Sequence, residues 1–373
     1  MTWIALAALL AWAVLIFWRG MFWRAQEDDR DAALLPQPAV WPTVQIIIPA
    51  RDEADTIGAT VRSLVRQDYP GRFEILVVND RSTDQTARLA RAAGAEVLDG
   101  HGKAPGWSGK LYALQQGLVA VAGRDHTLLL FTDADITHAR DSLRRLVQRA
   151  EAGRLDLVSL MAQLRCESGA ERWMIPAFVF FFQMLYPFRW SNHPGTRTAA
   201  AAGGCVLLRR AAFEARGGLH PIRGRIIDDC ALAGLMKQGG SAIWLGLTER
   251  ARSHRAYEDL DTIRTMVART AYAQLGYNPL LLLGMVLAMG LVFLAPPALA
   301  LLAQGPAKWL GALAWGAMVV AYAPMLRRYG LAAERAILLP LIAAIYLAFT
   351  LDSAWAELRG QGGAWKGEPL SRE

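Results

Sequence analysis

Cysteine is scarce: Cys166, Cys205 and Cys230 are the three thiols in 373 residues. An odd number without close ligand spacing excludes a disulfide framework and a cysteine-based zinc site, and suits reduced, buried thiols. Basic side chains are missing from residues 1–10, where a cleaved signal peptide would carry its positive region; Arg19 and Arg24 follow the first apolar run instead. A retained N-terminal transmembrane anchor is therefore expected over residues 1–24. A basic stripe is missing too. Net charge is +7, but the arginines are scattered, so attraction to anionic lipid is expected and nucleic acid is not.

Apolar residues are abundant. They make up 54% of the chain, and the mean hydropathy is +0.21, more than a soluble globule carries. The first run, Trp3 to Trp18, can cross a bilayer with tilt, Arg19 snorkelling toward the interface. Three more runs, Pro279 to Ala303, Trp309 to Leu326 and Ala336 to Leu351, predict three C-terminal transmembrane helices within 279–351, with Pro296-Pro297 kinking the first. Residues 352–373 read as a polar tail. Arg327, Arg328 and Arg335 crowd one short loop, and with Arg19 and Arg24 they fall on the cytoplasmic face by the positive-inside rule. The expectation is a multi-pass protein of a bacterial-type cytoplasmic (inner) membrane with residues 40–265 as a cytoplasmic domain.

Within that domain, strands at 44–48, 73–78 and 126–131 are nearly continuous in apolar residues and alternate with amphipathic stretches at 55–65, 83–93 and 110–121. Strands apolar on both faces belong in a sheet covered by helices, which predicts repeated βαβ units and an open α/β sheet. Residues 173–190 are the most apolar stretch of this part and carry Trp at both ends; interrupted by Pro176, Gln183 and Pro187, they suggest an interfacial helix, with a buried core helix as the alternative.

Four carboxylate clusters occur in order: Asp52-Glu53, Asp80, Asp133-Ala134-Asp135 and Asp228-Asp229. The first three follow strands, and open α/β sheets bind ligands at the carboxyl ends of their strands. Pro49 is expected to end the first strand, Asp52 and Glu53 to accept hydrogen bonds from a base or ribose, and Asp80 to meet ligand. Ser82 or Thr83 is the expected cap of the next helix. Asp133 and Asp135 can turn together toward a hard cation, Mg2+ or Mn2+. Asp228-Asp229 either favours the positive end of a helix dipole or supplies a general base, Asp229, supported by Asp228.

PARDE, VVNDRSTD, Gly109-Lys110, FTDAD and the Asp228-Asp229 pair, in this order, resemble family 2 glycosyltransferases of the GT-A fold, Rossmann-like with a mostly parallel sheet. More narrowly the layout is similar to the hopanoid- or hopene-associated (HpnB) type, and more distantly to ceramide glucosyltransferase. The resemblance covers nearly the whole chain and implies about four transmembrane helices. It also implies that Pro49, Arg51, Glu53, Asp80, Lys110, Asp133 and Arg269 meet the nucleotide-sugar, that Asp133 and Asp135 hold the metal, and that Asp229 and Asp228 are catalytic. A nucleotide-sugar donor, UDP-linked, and a membrane lipid acceptor follow from it. Asn79 stands where many relatives have an aspartate, and Asp228 where glutamate is usual. The QxxRW signature of processive synthases is missing, MVARTAY over 266–272 being the nearest stretch, so transfer of a single sugar is expected over polymerisation. Transfer to a polyprenyl phosphate, a polysaccharide synthase subunit and a non-catalytic lipid-binding protein are the alternatives. Arg269 is read equally as a diphosphate contact or a headgroup contact; His254 is expected to be a surface residue, with a phosphate contact as the alternative.

Overall fold

The computed structural model describes residues 1–360 and, beyond them, two short paired strands, Ala364–Trp365 and Glu368–Pro369. The chain divides into two compact units: one of residues 1–26, 166–189 and 257–363, the other of 27–165, 190–256 and 364–373.

The second unit is built on one eight-stranded sheet. Its strands are β1 (Val44–Ala50), β2 (Phe73–Asn79), β3 (Glu96–Asp99), β4 (Leu128–Thr132), β5 (Ile136–His138), β6 (Leu157–Gln163), β7 (Cys205–Arg209) and β8 (Ile243–Ser253). The order is β3-β2-β1-β4-β7-β6-β8-β5. β3, β2, β1 and β4 run parallel, as do β6 and β8; β7 lies antiparallel between β4 and β6, and β5 antiparallel on the edge beside β8. This is a GT-A domain, a mostly parallel mixed sheet of Rossmann-like form. Alternate residues of the inner strands feed two cores. Val44, Ile46, Ile48, Ile75, Val77, Leu128 and Leu130 pack on one face, and Ile47, Leu76, Val78, Leu129 and Phe131 on the other. Each such side chain contributes roughly 1.5–3 kcal/mol when removed from water.

Three local details differ from the sequence reading. Pro49 does not end β1, which continues to Ala50. Ala50 turns its carbonyl toward the β2 side, where it accepts from the Asp80 N–H at 2.8 Å, so Pro49 presents its missing N–H to the β4 side. Pairing with β4 stops at Ile47, and no ladder bond is lost there. The next helix begins at Thr86 rather than Thr83, because the Asp84 carboxylate accepts from the Thr86 N–H at 2.9 Å and the Ala54 N–H at 3.0 Å, tying the loop ahead of the helix. Thr83 instead donates its N–H to Asp52 Oδ1 at 2.8 Å, so the Asp52 carboxylate braces this loop.

The first unit is helical. Pro279–Leu302, Pro306–Arg328 and Ala333–Leu358 are long and apolar enough to cross a membrane, and Thr2–Phe17 is a shorter apolar helix. The helix Leu339–Leu358 takes in residues expected in the polar tail; Arg264 pairs with Asp352 on its penultimate turn, and the tail past residue 360, apart from the two short strands, lies outside the described residues. Pro296-Pro297 acts through hydrogen bonding. The Val292 carbonyl lies in a π-helical turn, Gly290–Leu294, and its partners four and five residues on are both prolines without an N–H. Trp12 Nε1 on the helix Thr2–Phe17 donates to that carbonyl at 2.7 Å.

The stretch expected as an interfacial helix, 173–190, belongs to this unit. The helix Gly169–Leu185 starts with a capping box of Ser168 and Glu171. It buries Met174, Ile175, Val179 and Phe180 against its neighbours, with Phe180 against Phe22 and Tyr322, and Phe181 against Phe293 and Tyr346. The buried alternative therefore describes most of its surface, while Trp173 and Leu185 stay exposed. The expected domain of 40–265 is accordingly divided, since 166–189 and 257–265 fold with the apolar helices.

Candidate active site

β1, β2 and β4 end side by side, and the turns leaving them carry the acidic motifs. After β4 the chain makes a tight turn, with the Ile136 N–H donating to the Asp133 carbonyl, before entering β5. The Asp133 side chain lines an open pocket, together with Pro49, Lys110, Thr132, Gly203, Asp228 and Asp229 among others. Lys110 enters on the first turn of the helix Gly109–Ala120, whose start is capped by Ser108 Oγ accepting from the Leu111 N–H. Its ammonium is 2.6 Å from Asp133 Oδ1 and 3.8 Å from Asp228 Oδ2.

Asp228 and Asp229 open the helix Asp228–Gln238. Asp229 is held at both oxygens: the Gly203 N–H donates to Oδ2 at 2.9 Å and the Cys230 N–H to Oδ1 at 2.7 Å. Burial, reinforced by Asp228, pushes the Asp229 carboxyl up to about 6, against the pull of Lys110 and these two N–H groups. Burial also raises the Asp133 carboxyl, opposed by Lys110. Lys110 stays charged, because Asp133, Asp228 and Asp229 outweigh the burial that disfavours its ammonium and hold its pKa above the usual lysine value. Three carboxylates thus surround one ammonium, an excess of negative charge in a half-buried pocket.

Gly203 lies close against the charged groups. A Cβ there would sit 3.1 Å from Lys110 Nζ and 3.4 Å from Asp229 Oδ2. Thr132 Oγ1 donates to the Gly204 carbonyl at 2.8 Å and lies 3.0 Å from Nε2 of the buried His138, so the glycine turn is tied to the end of β4.

The remaining motif residues form a second group at the same strand ends. Asp80 is 3% exposed and pairs with Arg51 at 3.8 Å and Arg81 at 3.4 Å. Asp52 and Arg81 adopt positive φ, 50° and 54°, and these left-handed residues turn the chain sharply out of β1 and β2. The Glu53 N–H donates to Thr86 Oγ1 at 2.8 Å, while its carboxylate meets Arg255 Nη2 at 2.8 Å. Arg255 Nε donates to Asp135 Oδ2 at 3.0 Å, and Ser253 Oγ donates to the same oxygen at 3.2 Å.

Of the residues expected in the site, Pro49, Lys110, Asp133, Asp228 and Asp229 share the pocket, and Arg51, Glu53, Asp80 and Asp135 stand on the adjoining turns. Arg269 is exposed on the helix Leu260–Gln274 of the other unit and is not among the pocket-lining residues. His254 donates its N–H to the Asp135 carbonyl, and its Nε2 is 2.7 Å from Thr137 Oγ1. Arg255 and His138 carried no assigned role in the sequence. Arg255 directly follows the histidine that drew notice, and only the antiparallel register Ile136↔Ser253 brings it to Asp135.

Among described residues no three His, Cys, Asp or Glu side chains converge as a ready-made metal cage. Two hard carboxylates two residues apart, with excess negative charge beside them, still fit Mg2+ or Mn2+, which bind through one or two carboxylates and take their other ligands from water and substrate phosphate.

The fold is that of the GT-A domains, and the pocket lies at the carboxyl ends of their parallel strands. Residues 45–217, somewhat under half of the chain, match the family model "Glycosyl transferase family 2". A 4,4'-diaponeurosporenoate glycosyltransferase of Staphylococcus aureus (strain bovine RF122 / ET3-1) is 41% identical over 110 residues, 29% of this chain and 28% of that relative. The protein of that name from strain USA300 is 41% identical over 107 residues, 28% of this chain and 27% of its own length. The chain thus aligns with under a third of the curated relatives it matches. A solved mannosyltransferase, PcManGT from Pyrobaculum calidifontis in complex with GDP-Man and Mn2+, shares the fold with TM-score 0.57 and 20% identity, over 95% of this chain and 99% of that one.

Proposed function

We propose that this protein is a membrane-held, metal-dependent, inverting glycosyltransferase that moves a single sugar from a nucleotide donor, a UDP-sugar, to a lipid alcohol. The observation that carries the reading is the gathering of Lys110, Asp133, Asp228 and Asp229 around one pocket at the carboxyl ends of the sheet. Asp229 takes the proton of the attacking hydroxyl; the freed oxygen attacks the anomeric carbon as its bond to the diphosphate breaks. A carboxyl raised to about 6 suits this role, being ionised at neutral pH yet basic enough to accept a proton. Lys110 is placed to counter charge developing on the diphosphate. Asp133 and Asp135 would hold Mg2+ or Mn2+, which supplies Lewis-acid stabilisation of that leaving group. Glu53, Asp80 and Arg51 are assigned to the nucleotide, and Arg269 to headgroups or diphosphate.

A lipid acceptor is the reading that uses the apolar helices, since a chain held to a bilayer meets its acceptor in two dimensions. Arg19, Arg24, Arg327, Arg328 and Arg335 support a cytoplasmic side for the domain by the positive-inside rule. A hopanoid acceptor rests on family resemblance alone. A second reading has its own support. The Staphylococcus aureus relatives carry a name with a carboxylate acceptor, diaponeurosporenoate. An acceptor already ionised, whether carboxylate or polyprenyl phosphate, needs no base, and Asp229→Asn then leaves turnover largely intact.

The test is incubation of membranes containing the protein with radiolabelled UDP-sugars and GDP-sugars, followed by organic extraction. Label in a lipid fraction, dependent on Mg2+ or Mn2+, is expected. Label confined to the aqueous phase defeats the lipid acceptor.

A further inference from the structure

We propose that Arg255 is a resident counter-cation of the donor site, one that guards Asp135 against bare divalent metal and yields to the metal–nucleotide complex. The inference rests on the reading of Asp133 and Asp135 as metal ligands.

Two nitrogens of one guanidinium bind two different acidic motifs: Nη2 is 2.8 Å from Glu53 Oε1 and Nε is 3.0 Å from Asp135 Oδ2. The carboxylates belong to elements far apart in sequence, the turn after β1 and the turn after β4. Ser253 Oγ donates to the same Asp135 oxygen, and the Arg255 N–H is 3.3 Å from that hydroxyl. Oδ2 of Asp135 is therefore committed to two donors in the free protein. A divalent cation that takes this oxygen must displace at least one of them and approach the guanidinium's positive charge.

A bare ion offers the displaced guanidinium nothing in exchange. A nucleotide diphosphate does, because its phosphate oxygens accept charge-assisted bonds from the planar guanidinium as well as a carboxylate does. The Arg255 side chain is 42% exposed, against 10–12% for its two carboxylate partners, so it has room to swing away while they remain in place. The arrangement favours entry of metal together with nucleotide over metal first. Because the arginine is part-exposed and screened by water, the guard is modest, about three- to tenfold in metal affinity.

The test measures free Mn2+ by electron paramagnetic resonance during titration of the full chain in detergent, without nucleotide and with UDP or GDP. Arg255→Gln is expected to tighten Mn2+ binding three- to tenfold in the absence of nucleotide, and to shrink the factor by which nucleotide strengthens Mn2+ binding. Arg255→Lys, which keeps the charge, should stay within about twofold of wild type. Arg252→Gln removes an equal charge from an arginine that donates to the Glu249 carbonyl, and should leave Mn2+ affinity unchanged. Unchanged or weaker Mn2+ binding by Arg255→Gln, with Mn2+–nucleotide binding intact in wild type, overturns the guard alone; so does an equal gain in Arg252→Gln. Wild-type protein that binds no Mn2+ even with nucleotide overturns the metal reading and this inference together.

Discussion

Replacing Asp229 with asparagine keeps the volume of the side chain while removing its charge and basicity. In the native pocket both oxygens accept backbone N–H groups, from Gly203 at 2.9 Å and Cys230 at 2.7 Å. An amide can satisfy one of them and must aim its NH2 at the other, a donor-to-donor conflict costing about 1–3 kcal/mol. This cost is partly offset. The folded-state pKa of about 6 lies above the ordinary carboxyl value of 3.8, so stability from the neutral form is present below the lower value and lost as pH rises through the upper one. A neutral amide carries no such penalty at pH 7. The variant should therefore fold, with its defect in chemistry. Loss of a general base lowers turnover by about 10²- to 10⁴-fold, or roughly 3–5 kcal/mol of transition-state stabilisation. The assay is turnover with saturating donor and acceptor across pH 5–9. Wild type should lose activity as pH falls through about 6, and Asp229→Asn should lose this acidic limb along with most of its rate. Turnover within threefold of wild type, with the limb retained, would refute the assignment of the base.

Gly203→Ala places a Cβ 3.1 Å from Lys110 Nζ and 3.4 Å from Asp229 Oδ2. Activity should fall about tenfold or more with little change in thermal unfolding, since the lysine end can move but the catalytic geometry suffers; unaltered kinetics would mean that the glycine only shapes a turn. In the helical unit, Trp12→Phe leaves the Val292 carbonyl without its donor and should cost about 1 kcal/mol in detergent or bilayer. Pro296→Ala restores an N–H four residues on, so the same Trp12→Phe change in that background should cost less. Equal costs in the two backgrounds would show that Trp12 acts by packing alone.

The parallel half of the sheet was legible because β1, β2 and β4 are buried on both faces and read as unbroken apolar runs. β8 was not. As a long strand beside the edge it mixes Glu249, Arg250 and Arg252 with buried Leu245, Leu247 and Ala251, and its charges hide the alternation. β7 is five residues long, and its antiparallel insertion between β4 and β6 leaves no local signal. The motifs led to the pocket because their residues sit where strands stop, a local property. Arg255 depends on which strand pairs with β5, which no spacing along the chain encodes. The helix Gly169–Leu185 was ambiguous for a related reason, since an apolar helix rich in aromatics looks alike whether lipid or other helices cover it.

Nucleotide binding by wild type and Asp133→Asn, measured calorimetrically with UDP and GDP in the presence and absence of Mn2+, tests the pocket most directly. Wild type should bind one of the two nucleotides in a metal-dependent manner, and Asp133→Asn should lose most of that dependence while still folding. Equal nucleotide affinity in the two proteins, or binding indifferent to Mn2+, would contradict the placement of the donor in this pocket.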